Sequence, residues 1–215
     1  MNVTVDIFSD VICPWCFIGK RRYEKAVANL ANVDVRIRWH PYQLNPQMPQ
    51  EGISRREYRI RKFGSWERSM QLDANIVAVG KEEGIEFDFE RMERTPNTCD
   101  AHRLIDLAHQ QGMQDAVVEA LFRAYFTEGQ DLSNRETLID IVIAAGLDRE
   151  AAQAMLSSDA GKDLIQQSQL EARRVGVEGV PFFVINGQVA LSGAQPPEII
   201  QAAIQEAIGA DSDSR

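Results

Sequence analysis

The alternation of apolar and polar residues at the start of the chain predicts a strand, a helix and a second strand. Residues 3–9 and residues 33–40 are short, rich in β-branched side chains and alternating, which is typical of strands. Between them a helix is predicted to begin at Cys13 and Pro14, because proline lacks an N–H and therefore suits the first helical turn. A strand–helix–strand unit of this length favours parallel pairing through a right-handed crossover.

The first predicted helix has two different faces. Its apolar face consists of residues at helical spacing, namely Cys16, Tyr23, Ala26, Val27 and Leu30. Its charged face consists of residues expected to point toward water, namely Lys20, Arg21, Arg22, Glu24 and Lys25. One side of this helix should therefore pack on the sheet.

The middle of the chain, from about residue 54 to residue 176, has the hydrophobic period of helices and no strand pattern. Helices are predicted over seven segments: 55–63, 66–83, 96–111, 114–128, 134–145, 149–156 and 160–174. Thr95 followed by Pro96 predicts the start of the third of them, and glycines follow several of their ends.

Strand patterns return near the end of the chain. Residues 181–185 and 188–192 flank Asn186-Gly187, a pair that favours a type I′ hairpin turn. Two consecutive prolines then precede a final apolar-faced helix.

The order βαβ, helical block, ββα places the chain in the α/β class, with the block inserted between two halves of one sheet. We therefore assign residues 1–50 and 175–210 to a discontinuous α/β domain. Residues 51–174 form an all-helical insertion domain, and residues 211–215 are predicted to be a disordered tail.

Composition and charge exclude several classes of function. The chain has 215 residues, of which 44% are hydrophobic and 26% charged, as in a globular protein with a substantial core. Its formal charge of -9 argues against binding to nucleic acid or to an anionic membrane surface, since both require a basic surface.

Targeting signals are not evident in the sequence. No segment approaches the run of about 20 apolar residues that spans a bilayer. Asp6 and Asp10 interrupt the first apolar stretch, unlike a secretory signal. We therefore expect a cytoplasmic protein, and the sequence leaves open whether it is a monomer or a homodimer.

Two of the three cysteines, Cys13 and Cys16, lie at the predicted start of the first helix. One helical turn separates them, so their sulfur atoms can approach closely enough to form a reversible disulfide. The free N–H groups and the positive end of the helix dipole stabilise a thiolate on Cys13, and the thiolate is the attacking species in disulfide exchange. We predict that Cys13 is an exposed nucleophile and that Cys16, buried one turn later, releases the mixed disulfide.

A structural pair and a zinc site are the alternatives for these cysteines. In a reducing compartment a lone Cys-x-x-Cys pair more often has a catalytic or metal-binding role than a structural one. A structural zinc site requires four ligands, and the chain has no second cysteine pair. Cys99, His40, His102 and His109 would complete a site only through tertiary contacts, so we predict no metal and no cofactor beyond the cysteine pair.

The segment Gly179-Val180-Pro181 precedes the predicted hairpin. Proline is tolerated as the first residue of a strand, which is one interpretation. The other is a cis Val180–Pro181 bond packed against the start of the Cys13 helix. The main chain of Val180 would then be exposed for strand addition by an extended substrate.

Several motifs resemble those of one family. Residues 9–20, which include Cys13-Pro14-Trp15-Cys16, resemble the active-site segment of the DsbA-like thiol–disulfide oxidoreductases, in particular their FrnE-like branch. Further similar segments are Pro41 to Pro46, Asn97-Thr98 with Ala101 to Leu104, Gly176-Val177 with Gly179 to Phe183, and Ser192 to Gln195. The resemblance covers nearly the whole chain.

The resemblance implies a thioredoxin-like fold with an inserted helical domain, a redox-active Cys13–Cys16 disulfide and a cis proline at Pro181. It implies disulfide exchange with protein thiols or with low-molecular-weight thiols, and glutathione is a candidate partner. We expect Pro14, Trp15, Val180 and Pro181 to contact the substrate.

The same superfamily contains the 2-hydroxychromene-2-carboxylate isomerases and the kappa-class glutathione transferases. A glutathione-dependent isomerase or transferase is therefore the alternative function. Those enzymes typically have serine at the position of Cys13, and charged residues after the glycine that corresponds to Gly193, where this chain has Ala194 and Gln195. Both differences favour disulfide exchange.

Three residues of the insertion are further candidates. Cys99 is expected to be a small buried residue, and the alternative is a third redox thiol facing Cys13. His102 can share a helix face with Cys99 and either packs in the core or lies in the active-site cleft. Asn97 is expected to be a capping or first-turn residue of that helix, and the alternative is a side chain that points into the cleft.

Other side chains near the cysteines have a plainer interpretation. Asp10 is expected to be a solvated loop residue, and the alternative is a carboxylate that opposes thiolate formation on Cys13. Trp39, Phe63 and Trp66 are expected to pack in the core, and the alternative is an apolar groove near the domain junction.

Overall fold

The computed structural model describes residues 2–213 and has a four-stranded mixed sheet at its centre. The strands of the protein are β1 (Asn2–Ser9), β2 (Asp34–Pro41), β3 (Ile53–Ser54), β4 (Arg94–Thr95), β5 (Phe182–Ile185) and β6 (Val189–Ser192). The central sheet has the order β2-β1-β5-β6, in which β1 is parallel to β2 and β5 is antiparallel to both of its neighbours.

The helices surround this sheet. They are α1 (Pro14–Ala28), α2 (Arg55–Phe63), α3 (Trp66–Glu82), α4 (Cys99–Gln110), α5 (Gln114–Phe126), α6 (Arg135–Ala144), α7 (Arg149–Ser157), α8 (Lys162–Arg174) and α9 (Pro197–Asp213). All seven helices predicted for the middle of the chain are confirmed, most of them within two residues at each end.

The βαβ unit forms as its pattern predicts. Val3, Val5 and Ile7 alternate along β1 and are buried, while α1 crosses over to the parallel strand β2. On the other side of β1 the hairpin of β5 and β6 completes the sheet. Its turn has positive φ at Asn186 (48°) and Gly187 (70°), which confirms the type I′ turn.

The insertion differs from the prediction in one respect, because it is not all helical. β3 and β4 form a separate two-stranded antiparallel sheet, in which Ile53 pairs with Thr95. The backbone at Thr95 is therefore extended, and α4 begins at Cys99 rather than at Pro96. A strand of two residues has no periodicity, so no hydrophobic pattern reveals it.

One hydrophobic core joins the insertion to the thioredoxin-like part. Phe17 of α1 stacks on Phe122 of α5 with ring centroids 5.1 Å apart. Lys20, predicted to point toward water, is instead buried between the two parts and pairs with Glu24, with Asp115 at 3.1 Å and with Glu119 at 3.4 Å. Burial is possible because these carboxylates compensate the ammonium charge.

α9 extends to Asp213, so residues 211–213 of the predicted disordered tail continue this helix, since neither proline nor glycine follows Gly209. Residues 214 and 215 lie outside the described residues. Within residues 2–213 no helix combines the length and the apolar character needed to cross a bilayer.

Candidate active site

Cys13 immediately precedes α1 and occupies its N-cap position. Its backbone is extended (φ -95°, ψ 110°), and Pro14 is the first helical residue, as predicted. The N–H of Cys13 donates to the carbonyl oxygen of Asp10 at 2.9 Å, and the N–H of Cys16 donates to the carbonyl oxygen of Cys13 at 3.0 Å. This turn holds two free thiols at the N-terminal end of the helix, where unpaired N–H groups and the helix dipole favour negative charge.

Cys16 lies one turn inside and is completely buried. Burial raises the pKa of the Cys16 thiol well above its ordinary value of 9.0, and the hydrogen bond and charge of Cys13 raise that pKa further. The main chain of Asp10 and the side chain of Ser9 act in the opposite direction. At neutral pH Cys16 is therefore a neutral thiol.

Cys13 is less accessible than predicted. Only 6% of its surface is exposed, so the prediction that Cys13 is exposed is wrong. The reason is the loop before β5, which packs over the helix start and accepts a hydrogen bond from the Cys13 thiol at the carbonyl oxygen of Val180, at 3.4 Å. Trp15, between the two cysteines, is 39% exposed.

The Val180–Pro181 peptide bond is cis, as the resemblance implies. Pro181 also directly precedes β5, and its carbonyl oxygen accepts the N–H of Gly193 at 2.8 Å. A Cβ atom built on Gly19 of α1 would lie 2.9 Å from Cγ of Pro181. The absence of a side chain at Gly19 therefore lets the proline ring sit against α1, beside the cysteines.

A cavity of about 410 Å³ opens beside Cys13, and we call it the Cys13 recess. Most of its lining residues are apolar or aromatic: Ile12, Cys13, Pro14, Trp15, Leu44, Phe63, Leu72, Ile76, Phe89, Met92, Tyr125 and Phe126. The other lining residues are Arg55, Tyr58, Arg59, Lys62, Asn75 and Thr95. The recess therefore lies between the start of α1 and helices α2, α3 and α5 of the insertion.

The polar part of the recess is positively charged. Arg55, Arg59 and Lys62 line it, and none of the described lining residues is Asp or Glu. Asp73, which lies behind the lining, pairs with both Arg55 and Arg59. Burial lowers the pKa of Arg59, and the charge of Arg55 lowers it too, whereas Asp73 raises it. The single negative charge of Asp73 is therefore shared by two guanidinium groups.

The sequence contains a signal for these cations that the hydrophobic pattern does not reveal. Arg55, Arg59 and Lys62 recur at positions i, i+4 and i+7 of α2, and this spacing places them on one helix face. Their aromatic neighbours hold them in place: the Arg59 guanidinium lies 4.4 Å from the centre of the Phe63 ring. The Lys62 ammonium donates to the hydroxyl of Tyr58 at 2.9 Å.

Of the three aromatic residues considered for an apolar groove, only Phe63 lines the recess. Trp39 is buried in the core, and its Nε1 donates to Asp115 at 3.0 Å, so core packing is confirmed for this residue. Trp66 lies under the guanidinium of Arg56, 4.9 Å from the ring centre.

Asp10 is not the solvated loop residue that was expected, because it is completely buried. Its Oδ2 accepts the N–H of Leu44 at 2.7 Å, which ties the active-site loop to the chain after β2. Its Oδ1 lies 3.4 Å from Nε2 of His102, and neither of these two atoms has a hydrogen-bond partner among the described residues. His102 is buried and does not line the recess, so it packs behind the active-site loop through Asp10.

Asn97 and Cys99 lie at a different cavity, of about 490 Å³, which does not include Cys13. Asn97 precedes Thr98, the N-cap residue of α4, and its side chain accepts the N–H of Cys99, the first helical residue, at 2.9 Å. Cys99 is half-buried, and burial together with the charge of Asp100 raises the pKa of its thiol. Within the described part of the chain, no group of three His, Cys, Asp or Glu side chains is arranged to hold a metal.

Comparison with known proteins agrees with this geometry. Residues 4–205 match the family described as DSBA-like thioredoxin domain. The uncharacterized protein YwbO of Bacillus subtilis is 25% identical over 211 residues, which cover 96% of this chain and 98% of that protein.

Solved structures show the same relationship. The crystal structure of a probable DsbA oxidoreductase from Streptomyces coelicolor is 32% identical, with a TM-score of 0.88 over 96% of this chain and 90% of that one. A 2-hydroxychromene-2-carboxylate isomerase shares the fold at 19% identity, with a TM-score of 0.71 and 99% of each chain covered. The motifs around Cys13 and Pro181 indicate the same superfamily. The chain therefore belongs to the DSBA-like thioredoxin domain family.

Proposed function

We propose that the protein is a thiol–disulfide oxidoreductase that exchanges disulfides through Cys13 and Cys16. The observation that carries the proposal is the pair of free thiols on the first turn of α1, with the Cys13 thiol against the main chain of Val180. Membership of a family that contains disulfide oxidoreductases supports it.

In the proposed reaction the Cys13 thiolate attacks one sulfur atom of a substrate disulfide. A Cys13–substrate disulfide forms, the substrate S–S bond breaks, and the departing thiolate takes up a proton. Cys16 then loses its proton, attacks the Cys13 sulfur and releases the second substrate thiol. Two electrons and two protons pass from the protein to the substrate, and the reverse sequence oxidises a pair of thiols.

The proposed substrate contacts are Pro14, Trp15, Val180 and Pro181. Trp15 offers an exposed aromatic surface next to Cys13, and an extended main chain would take the place of the Cys13 thiol at the carbonyl oxygen of Val180. Protein thiols and glutathione are both proposed partners, and the cytoplasm is the proposed location.

The test is reduction of insulin or of a small disulfide by each variant in the presence of dithiothreitol. Cys13→Ser should abolish catalysis, since the attacking sulfur is lost. In a separate reaction without dithiothreitol, reduced Cys16→Ala should accumulate a mixed disulfide on Cys13 that mass spectrometry detects. Cys99→Ala is the matched control and should retain activity. Full activity of Cys13→Ser would refute the proposal.

The glutathione-dependent isomerase is the weaker proposal. It would need an activated glutathione thiol, and Cys13 stands where those isomerases typically have serine. Turnover of a chromene-type substrate that requires glutathione and survives Cys16→Ala would favour the isomerase over disulfide exchange.

A further inference from the structure

We propose that the site acts on low-molecular-weight disulfides and thiols that have an apolar, aromatic body and a carboxylate, bound in the Cys13 recess. This inference rests on the proposed exchange chemistry of Cys13 and names the class of its substrate. Three observations carry it: the route to Cys13, the size of the recess and its charge.

The route to Cys13 favours a small molecule. Only 6% of the surface of Cys13 is accessible, and the residue forms part of the recess wall. The loop before β5 covers the Cys13 thiol, whose sulfur atom lies 3.4 Å from the carbonyl oxygen of Val180. A disulfide in a folded protein would have to enter the recess, whereas a small disulfide can reach Cys13 from inside it.

The size and walls of the recess fit such a molecule. A volume of about 410 Å³ lies within the range of about 300–1,000 Å³ that small-molecule sites occupy. Phe63, Phe89 and Phe126 provide aromatic walls, and Leu72 and Ile76 of α3 provide aliphatic ones. An aromatic ring would bury its apolar surface against these side chains.

The charge of the recess selects an anion. Arg55 and Arg59 share one carboxylate, that of Asp73, and Lys62 adds a third cation, so the recess is positive within a protein whose formal charge is -9. A carboxylate on the ligand would accept hydrogen bonds from these groups. Glutathione also has carboxylates, but it has no aromatic body to bury against the apolar walls, and its ammonium group would meet cations and no carboxylate among the described lining residues.

The exchange step balances within the recess. Reduced protein attacks the aromatic disulfide at Cys13, and one aromatic thiolate leaves. Cys16 then displaces the second aromatic thiol from Cys13 and forms the Cys13–Cys16 disulfide. One disulfide is reduced to two thiols while one protein dithiol is oxidised, and a dithiol such as dithiothreitol restores the protein.

The experiment compares the rates at which reduced protein reacts with three disulfides. Dithiobis(nitrobenzoate) is aromatic and anionic, dithiodipyridine is aromatic and neutral, and glutathione disulfide is anionic but has no aromatic ring. Each rate is divided by that of free dithiothreitol with the same disulfide, which removes differences in intrinsic reactivity. We expect the normalised rate for dithiobis(nitrobenzoate) to be highest, by about tenfold over the others, which corresponds to about 1.4 kcal/mol.

Charge reversal in the recess tests the cause of this preference. Lys62→Glu alters an exposed residue of α2 and should lower the rate with dithiobis(nitrobenzoate) about tenfold, while the rate with dithiodipyridine changes by less than about twofold. Lys81→Glu makes the same charge change on an exposed residue outside the recess and is the matched control. Naphthoate, which has no sulfur, should inhibit the wild-type reaction and inhibit Lys62→Glu less.

The outcomes separate the two proposals. Equal normalised rates for anionic and neutral disulfides, or equal effects of Lys62→Glu and Lys81→Glu, would overturn the substrate class and leave disulfide exchange intact. A faster reaction with a peptide disulfide than with dithiobis(nitrobenzoate) would overturn it as well. If Cys13→Ser reacted as fast as wild type with every disulfide, the proposed function itself would fail.

Discussion

Cys13 and Cys16 are one helical turn apart, yet their surroundings give them different chemistry. Cys13 stands before the first turn of α1, among N–H groups that have no intrahelical acceptor, and borders the recess. Cys16 faces the core, where burial keeps its thiol protonated. The first is placed to attack a substrate, and the second is protected until a mixed disulfide has formed.

The high pKa of Cys16 predicts that resolution of the mixed disulfide becomes faster as the pH rises. Cys16 must lose its proton to attack, and burial, the largest cause of its raised pKa, persists when Cys13 carries a substrate. Decay of a preformed Cys13 mixed disulfide, followed by rapid acid quenching and mass spectrometry, should accelerate steadily from neutral pH to beyond pH 9.0, the ordinary value for cysteine. Cys99→Ala should give the same profile, and a rate that is constant above neutral pH would contradict the prediction.

The close contact between Gly19 and Pro181 predicts that a methyl group added at Gly19 lowers the stability of the fold. In Gly19→Ala the new Cβ would lie 2.9 Å from Cγ of Pro181, and overpacking of this kind costs about 1–3 kcal/mol. The better helix propensity of alanine returns only about 1 kcal/mol. We therefore expect a net loss of unfolding free energy, measured by urea denaturation.

The control for Gly19 is Gly209 of α9, where no described heavy atom lies within 4 Å of the added Cβ. Gly209→Ala should stabilise the protein by about 0.5–1 kcal/mol. Equal effects of the two substitutions would show that the contact between α1 and Pro181 is looser than described.

The buried ammonium group of Lys20 lies where α1 packs against α5, and its removal is expected to lower the free energy of unfolding. Lys20→Met takes the positive charge away from Asp115 and Glu119 of α5. Breaking a fully buried pair costs about 3–5 kcal/mol. The side chains of these two carboxylates are 46% and 24% exposed, so water screens the remaining charges and we expect a loss of about 1–2 kcal/mol.

Urea denaturation measures this loss. Arg149→Met, which removes an exposed pair between α7 and Asp140 of α6, is the matched control and should change stability by less than about 1 kcal/mol. If Lys20→Met were no more harmful than this control, the ion pairs of Lys20 would contribute nothing to the junction between α1 and α5.

The elements that could be predicted from the sequence are those whose pattern repeats over many residues. β1, α1 and the helices of the insertion have such patterns, and the turn at Asn186-Gly187 has a local rule of its own. β3 and β4 contain two residues each, and no period can develop over that length. Their pairing depends instead on segments that are distant along the chain.

The same reason explains what was missed at the candidate site. The position of Cys13 at a helix start follows from local rules, but its low exposure depends on Val180, far away in the sequence. The burial of Asp10 depends on Leu44 and His102, and that of Lys20 on α5. A polar side chain that is buried because of tertiary contacts leaves no signal in the local sequence. The cations of α2 leave such a signal, because their spacing places them on one helix face.

Across the whole molecule, three buried or half-buried carboxylates join separate elements and have lowered pKa values. Asp6 links β1 to β2 through Arg38 and His40, Glu83 links the end of α3 to α1, and Glu119 links α5 to α1. Burial alone would raise each pKa, but hydrogen bonds and charges from the cationic partners outweigh it.

These lowered pKa values predict that acid destabilises the fold. Below the ordinary values of 3.8 for Asp6 and 4.5 for Glu83 and Glu119, the unfolded chain binds more protons than the folded one. Stability from these groups is therefore complete above about pH 5–6 and is lost as the pH falls through the lower, folded pKa values.

Acid also reduces the repulsion that arises from the net charge of -9. Comparison of variants separates the loss of stability at these carboxylates from that reduced repulsion. Glu119→Gln should lower the unfolding free energy at neutral pH, because Arg21 and Lys20 each lose one of their anionic partners. Its stability should fall less steeply than that of wild type between pH 6 and pH 3. Glu206→Gln, at an exposed position of α9, should follow the wild-type curve. Parallel stability curves for wild type and Glu119→Gln in urea denaturation would contradict this prediction. The Glu119 carboxylate would then have the same pKa in the folded and unfolded chain, and its link between α5 and α1 would contribute nothing to acid sensitivity.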